Sequence, residues 1–223
     1  MTPPRALLVI DVQESFRQHP SWPTISDPQI ATRIAPLVDA AREAGDLVVW
    51  IFHLAPGSGS EFDPARGLVR LIEPLAAREG EPVLTKTAHN AFTTTGLQQL
   101  LTRHGVREVL VTGIRTEQCC ETTARLASDL GYSVFFVTDA TATNALPHRD
   151  VPARVDAATV LADPRTLPAR TVIERTEYAL AGRFATICTV EEVLAGEGVA
   201  LARDRSSGVP SGSARPSVAK TPV

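Results

Sequence analysis

Cys119 stands where a buried strand is expected to turn into a helix, in the stretch Val109-Leu-Val-Thr-Gly-Ile-Arg-Thr-Glu-Gln-Cys-Cys120. Gly113 marks the turn. Thr116 is the predicted N-cap of the helix, because its hydroxyl can accept a hydrogen bond from a backbone N–H two or three residues on. Cys119 would then lie in the first helical turn, where unpaired N–H groups and the helix dipole favour negative charge. We therefore expect its thiol to ionise more readily than a free thiol and to act as a nucleophile.

Asp11 and Lys86 are the residues that could assist such a thiol. A thiol that attacks a carbonyl group needs a base, a cation that stabilises the thiolate, and donors for the oxyanion. Asp11 follows the apolar run Ala6–Ile10 and is the candidate base, while Lys86 follows a third predicted strand and is the candidate cation. Burial would raise the pKa of the Asp11 carboxyl, and a neighbouring ammonium would oppose that rise. Together the three residues predict an acyl-transfer reaction. In that reaction Asp11 would first protonate the leaving amine and then activate a water molecule.

The elements that carry these residues alternate along the chain. Predicted strands cover residues 6–10, 47–52, 82–85, 108–112, 132–138 and 185–189, and predicted helices cover residues 27–44, 68–77, 95–104, 116–130, 151–161, 171–181 and 190–195. This alternation predicts an α/β fold: a three-layer, Rossmann-type α/β/α arrangement with a mainly parallel sheet. In such a sheet the site lies beyond the carboxyl ends of the strands. Asp11, Lys86 and Cys119 are therefore expected to converge there.

Composition limits the classes of protein to which the chain can belong. Its 223 residues, 43% of them hydrophobic, suffice for one α/β domain, predicted over residues 1–201 and followed by a disordered tail over residues 202–223. The net charge of −3 gives no basic surface for a nucleic acid, and no apolar run is long enough to span a membrane. Three cysteines do not make a disulfide framework, so we expect a reduced, cytoplasmic protein.

Three segments, in order, resemble the isochorismatase-like cysteine hydrolases, the superfamily of nicotinamidases, carbamoyl-amide hydrolases and isochorismatases. They are Leu7-Leu-Val-Ile-Asp-Val-Gln13, Lys86-Thr-Ala-His-Asn-Ala-Phe92 and Gly113-Ile-Arg-Thr-Glu-Gln-Cys119, and the likeness extends from about residue 5 to residue 195. The resemblance implies that Asp11, Lys86 and Cys119 form a catalytic triad. It also implies a cis peptide between Ile114 and Arg115, an oxyanion hole made by the Arg115 and Cys119 N–H groups, and a homodimer or homotetramer.

The metal-binding pattern of the nicotinamidases in this family is missing. They bind a metal through an Asp-x-His pattern after the second strand, whereas this chain has Trp50-Ile-Phe-His53, with Ile51 at the carboxylate position. We therefore expect no metal and no cofactor, and nicotinamide becomes a weak guess for the small-molecule substrate.

For each remaining candidate residue, a functional role competes with a purely structural one. Phe16, His89 and Phe92 could bind substrate, although packing is the default role for an aromatic side chain. The Arg115 side chain could shape or occlude the pocket. Cys120 and Cys188 are expected to be structural.

Metal-independent hydrolysis of a small amide or related C–N bond through a Cys119 thioester is the favoured function. Two alternatives stay open. Isochorismatases proper hydrolyse a vinyl ether without a cysteine nucleophile, and such a reaction would rely on Asp11 alone. A non-catalytic member of the fold would form no thioester with any amide.

Overall fold

Six parallel strands form one sheet. A computed structural model describes residues 4–152 and 155–196, so the predicted tail, residues 202–223, lies outside the described residues. The strands are β1 (Arg5–Ile10), β2 (Leu47–His53), β3 (Val83–Lys86), β4 (Glu108–Ile114), β5 (Ser133–Ala142) and β6 (Thr186–Cys188). Their order in the sheet is β3-β2-β1-β4-β5-β6, and every neighbouring pair is parallel. The chain runs outward in both directions from β1 and β4, so the topological switch point lies between them.

Helices cover both faces of the sheet. They are α1 (Glu14–Arg17), α2 (Ile30–Ala44), α3 (Leu97–Arg103), α4 (Glu121–Asp129), α5 (Ala157–Ala162), α6 (Ala169–Leu180) and α7 (Val190–Leu194). Leu7 and Val9 of β1 point into one core with residues of α2 and α7, whereas Leu8 and Ile10 point into the other core with residues of α3, α4 and α6. Because side chains alternate across a strand, a continuous apolar run serves both cores. The three-layer α/β/α prediction is confirmed.

Residues 68–77 are not helical, contrary to the sequence prediction. The carbonyl groups of Leu68 and Arg70 accept hydrogen bonds from the N–H groups of Ser15 and Glu14, and the N–H of Ile72 donates to another loop carbonyl. This pairing with the segment after β1 satisfies backbone groups that a helix would have satisfied internally.

Other element boundaries also differ from the predictions. Strand β5 continues four residues past the predicted end at residue 138, because it pairs again with β4 beyond an irregularity between Val111 and Gly113. The helix predicted over residues 151–161 is α5, which begins only after Asp156, whose carboxylate accepts a hydrogen bond from the Thr159 N–H. The segment between the first predicted strand and the helix predicted from residue 27, where the sequence predicts no element, contains the short helix α1.

The Glu81 carboxylate joins α2 to β2 through several hydrogen bonds. Glu81 accepts hydrogen bonds from Arg42 at 2.7 and 3.0 Å, from the Trp50 indole at 2.7 Å, and from the Arg78 N–H at 2.8 Å. Burial favours the neutral acid, but these donors outweigh it and lower the pKa of Glu81 to about 2.

None of the helices in the described residues is long and apolar enough to cross a membrane.

Candidate active site

Asp11 lies directly after β1, at the carboxyl edge of the sheet, and is completely buried. Its φ of +55° is in the left-handed region, which a residue other than glycine rarely adopts. The Asp11 N–H donates to the Ile51 carbonyl oxygen at 2.8 Å, so the neighbouring strand fixes this conformation. Such a conformation costs on the order of 1 kcal/mol and persists where the surroundings enforce it. Here it turns the carboxylate into the space beyond the strand ends.

Lys86 is the last residue of β3 and is 1% exposed. Its Nζ donates to Asp11 Oδ2 at 2.7 Å and to the Ala88 carbonyl oxygen at 3.2 Å, and it lies 3.5 Å from Cys119 Sγ. The structure therefore brings together the three residues predicted from sequence, although 75 residues separate Asp11 from Lys86 and 33 separate Lys86 from Cys119.

The Asp11 carboxyl is less acidic than usual. Burial raises its pKa, and the Lys86 ammonium and the Cys119 thiol oppose the rise, as expected for an acid beside a buried cation. Lys86 has the converse balance: burial acts to lower its pKa, but the attraction of Asp11 and Cys119 outweighs burial and raises it. Asp11 Oδ1 is buried and has no hydrogen-bond partner among the described residues. This oxygen is the one available to take a proton.

Cys119 lies in a single π-helical turn, Thr116–Cys120, that joins β4 to α4. Such turns occur frequently at functional sites. The predicted N-cap role of Thr116 is wrong: its hydroxyl donates to Thr141 Oγ1 at 2.9 Å, since β5 extends far enough to place Thr141 beside it. The N–H groups of Gln118 and Cys120 instead donate to the Arg115 carbonyl oxygen.

Gly113 is required at the end of β4. Its φ is +127°, and a Cβ atom there would lie 1.9 Å from the Ile10 carbonyl oxygen. The backbones of β1 and β4 therefore approach so closely that any side chain at this position would collide with the main chain. Immediately after it, the peptide bond between Ile114 and Arg115 is cis.

The Cys119 thiol is protonated at neutral pH, contrary to the expectation of an easily ionised thiol. Burial raises its pKa to about 12, and the Asp11 carboxylate adds to the rise, while Lys86 only partly opposes it. Cys119 is 5% exposed, so the loss of hydration outweighs the favourable position at a helix start. A thiol of this kind reacts by losing its proton as it attacks, and Asp11 is the adjacent acceptor.

Aromatic side chains line one side of the triad and form what we call the aromatic wall: His53, Phe62 and Phe16. Nδ1 of His53 lies 3.5 Å from Lys86 Nζ, and burial together with Lys86 lowers the pKa of His53 to about 4, so its ring is neutral. The His53 ring contacts Phe62 at 5.6 Å, and Phe62 contacts Phe16 at 4.9 Å between centroids. His89 is stacked parallel to His53 at 6.5 Å.

The candidate substrate contacts fall into two groups. Phe16 belongs to the aromatic wall beside the triad, and His89 stacks on His53 of that wall. Phe92 packs in the same core cluster as Cys119 and is stacked on Tyr132 at 6.1 Å. The sequence interpretation gave Phe62 no role, because it lies in a loop rich in Gly, Ser and Pro whose path the local sequence does not determine.

The described residues contain no group of three or more His, Cys, Asp or Glu side chains arranged to hold a metal ion. All three cysteines are buried and free of disulfide bonds.

Comparison with known proteins places this site in a family. A model of the isochorismatase domain matches residues 5–163. Nicotinamidase 3 of Arabidopsis thaliana is 51% identical over 151 residues, which cover 62% of this chain and 73% of that protein. A streptothricin hydrolase of Streptomyces noursei is 36% identical over 181 residues, covering 79% of this chain and 59% of that protein. A crystal structure of an isochorismatase from Pseudomonas putida KT2440 superposes with a TM-score of 0.72 at 29% identity, over 86% of this chain and 93% of its own.

Proposed function

We propose that this chain hydrolyses a small amide or a related C–N bond through a thioester on Cys119. The proposal starts from the family: the chain belongs to the isochorismatase family of hydrolases. The observation that carries the proposal is the buried triad: Lys86 Nζ lies 2.7 Å from Asp11 Oδ2 and 3.5 Å from Cys119 Sγ. A cysteine kept merely for packing does not need a buried acid and a buried cation beside it, because each charged group costs free energy to bury.

Asp11 is the proposed base of the first half-reaction. As the Cys119 sulfur forms a bond to the substrate carbonyl carbon, its proton moves to Asp11 Oδ1, and the carbonyl electron pair moves onto oxygen. The Arg115 and Cys119 N–H groups are the proposed donors to that oxyanion. When the C–N bond breaks, the amine nitrogen takes the proton from Asp11 and leaves. Lys86 keeps its positive charge throughout and stabilises the negative charge on Asp11 and, as the thiol loses its proton, the charge that develops on the Cys119 sulfur.

Water completes the cycle in the second half-reaction. Asp11 takes a proton from a water molecule whose oxygen attacks the thioester carbon, and the C–S bond then breaks. The sulfur recovers its proton from Asp11, and the carboxylic acid product leaves. The raised pKa of Asp11 suits this work, since a group that gains and loses a proton in each half-reaction functions best when its pKa is near the working pH.

Two relatives bear on the substrate, each by its name alone. One is named a nicotinamidase and another a streptothricin hydrolase, and both names describe hydrolysis. We propose a metal-independent reaction for this chain, with nicotinamide and simple aliphatic amides as the first compounds to test. We also propose a homodimer or homotetramer, which light scattering of the purified chain would identify by mass.

Replacing Cys119 with serine tests the mechanism. Release of ammonia from the amides should fall at least about a thousandfold, because the weaker nucleophile has no thiolate to form. Mass spectrometry of wild-type protein quenched in acid during turnover should show an acyl adduct on Cys119. Cys188→Ala is the matched control, since Cys188 is also buried but lies in β6, and its ammonia release should equal the wild-type rate.

A second reaction is favoured by one specific observation. An Asp11 whose pKa is raised could act as a general acid toward a vinyl ether, without a covalent intermediate. Hydrolysis of a vinyl ether that is retained in Cys119→Ala would establish that reaction and contradict the thioester. Absence of both turnover and acyl adduct across the amide panel would instead identify a non-catalytic member of the family.

A further inference from the structure

Arg115 is a cation that forms no ion pair with the residues that the structure describes. Its Nη2 donates to Ser21 Oγ at 3.0 Å, and its guanidinium carbon lies 5.7 Å from the centre of the Phe16 ring. Its Nε is buried and has no hydrogen-bond partner among the described residues, and none of the ion pairs found there includes Arg115. A guanidinium has five N–H donors in a planar fork that matches a carboxylate. An arginine whose buried Nε donor is unused is therefore prepared for an anion that the described residues do not supply.

The acidic side chain that acts on Arg115, two residues along, is engaged elsewhere. Glu117 accepts a hydrogen bond from Thr143 Oγ1, and it acts on Arg115 only through the longer-range attraction that opposes the lowering of the Arg115 pKa by burial. Glu117 Oε1 is itself buried and finds no hydrogen-bond partner within the described ranges. The two residues thus leave complementary groups unused instead of pairing with each other.

The Arg115 guanidinium lies close enough to the reacting sulfur for its pKa to respond to charge on Cys119. The aromatic wall connects Lys86 to Arg115 through consecutive contacts, and the wall residues are all packed edge to ring. The positive charge of Lys86 is compensated by Asp11. Burial and the neighbouring cations lower the pKa of His53 to about 4, so its ring is neutral, and burial and Arg115 lower the pKa of His19. Arg115 therefore carries a positive charge beside the wall that no ion pair in the described part of the chain compensates.

We propose that the Arg115 guanidinium binds a carboxylate or other anionic group of the substrate, next to the bond that Cys119 attacks. This inference rests on the proposed function and names its substrate class: amides that carry a negative charge near the scissile C–N bond. Phe16 holds the planar guanidinium from one face, and Ser21 orients one of its nitrogen atoms, so the remaining edge is presented to the ligand.

Alkylation of Cys119 tests this without knowledge of the true substrate. Iodoacetate and iodoacetamide have nearly the same shape, and both form an S–C bond to Cys119 with loss of iodide, but one reagent is anionic. The longer pair 3-iodopropionate and 3-iodopropionamide places the charge one carbon farther out. Mass spectrometry locates the adduct, and the readout is the ratio of anionic to neutral labelling rates at Cys119.

Arg115→Gln should lower this ratio about tenfold in at least one of the two reagent pairs, because the neutral side chain loses a charge-assisted bidentate contact. Arg33→Gln is the control of equal charge change: Arg33 lies on α2 with its side chain 54% exposed, and the ratio should stay within twofold of wild type. A ratio that is unchanged by Arg115→Gln in both pairs would overturn the proposal.

Glu117→Gln provides a second variant that keeps Arg115 in place. Removing the neighbouring negative charge should raise the anionic-to-neutral ratio at least twofold, and a ratio that is unchanged or lower would count against the proposal. The two failures are distinguishable. Loss of all amide turnover with the labelling ratios as expected would refute the proposed function but not the anion site, whereas turnover of neutral amides with ratios insensitive to Arg115 would refute the anion site alone.

Discussion

Replacing Lys86 with methionine should destabilise the folded chain because it leaves the Asp11 carboxylate buried without its cation. The two side chains are 0% exposed and their charged atoms are 2.7 Å apart. With an effective dielectric constant of about 20, two unit charges at this distance attract by roughly 6 kcal/mol. Breaking one buried pair by removing a single partner costs about 3–5 kcal/mol, since the remaining charge stays desolvated. We expect a loss of that size from the free energy of unfolding of Lys86→Met at pH 7.

The double variant separates this reasoning from simple loss of packing. Asp11→Asn alone strands the buried ammonium and should cost a similar amount, and asparagine tolerates the left-handed backbone conformation at this position. The double variant Asp11→Asn/Lys86→Met has no buried charge, so its free energy of unfolding should return to within about 2 kcal/mol of wild type.

Urea unfolding followed by circular dichroism measures all three variants. The exposed ion pair of Arg165 and Asp163 has the same 2.7 Å separation, but the arginine side chain is 52% exposed, so Arg165→Met should change stability by less than about 1 kcal/mol. If the double variant were destabilised by the sum of the two single variants, the two charges would not interact and the electrostatic account of the site would be refuted.

The stability of Lys86→Met relative to wild type has a defined pH dependence. The Asp11 pKa is higher in the folded chain than in the unfolded chain, so the folded chain binds that proton more tightly, and stability is lost as the pH rises through the folded value. Without Lys86, which opposes the rise, the folded pKa should be higher still. The difference in stability between Lys86→Met and wild type should therefore shrink as the pH is lowered toward the unfolded value of about 3.9.

Three further predictions concern the glycine turn, the sheet edge and the thiol. Gly113→Ala should destabilise the fold by more than about 3 kcal/mol in urea unfolding, because its Cβ would lie 1.9 Å from a backbone oxygen of β1. Gly45→Ala, where a Cβ would meet no atom within 4 Å, should cost only about 1 kcal/mol. Equal losses in the two variants would contradict this. Glu81→Gln should lower the free energy of unfolding by up to about 3 kcal/mol at pH 7, and by progressively less as the pH falls from about 4.3 toward 2. The reason is that the Glu81 carboxylate, whose pKa is lowered, stabilises the fold only while it is ionised. Glu79→Gln, on the exposed loop, is the control. The rate of iodoacetamide labelling of Cys119 should rise about tenfold per pH unit from pH 7 to 10, as its pKa of about 12 requires, and a plateau within this range would contradict the burial argument.

Local sequence patterns were enough to predict that Asp11, Lys86 and Cys119 meet. The apolar runs before Asp11 and Cys119 are buried on both faces of a parallel sheet, and strands of such a sheet end at the same edge, so residues 75 and 33 positions apart could be assigned to one site. The sequence predicted a turn at Gly113, whereas the close approach of the β1 backbone that makes glycine necessary there became visible only in three dimensions.

The ionisation of the thiol could not be read from the sequence. A helix start predicts an easily ionised Cys119, but the pKa depends on how completely distant residues exclude water from it, and burial reverses the sign of the shift. For the same reason the pairing of residues 68–77 with the segment after β1 overrode their local preference for a helix.

Sequence by itself determined the order of the elements, the edge at which the site lies, and the residue types that meet there. The tertiary structure alone decided what surrounds those residues. Arg115 contacts Ser21, 94 residues away, and the Phe16 ring, and the next ring along, Phe62, comes from a loop without a sequence pattern. The alternation of strands and helices follows from short-range periodicity, and it predicts a parallel sheet, whereas burial, unused donors and charge balance depend on long-range contacts that no local pattern encodes.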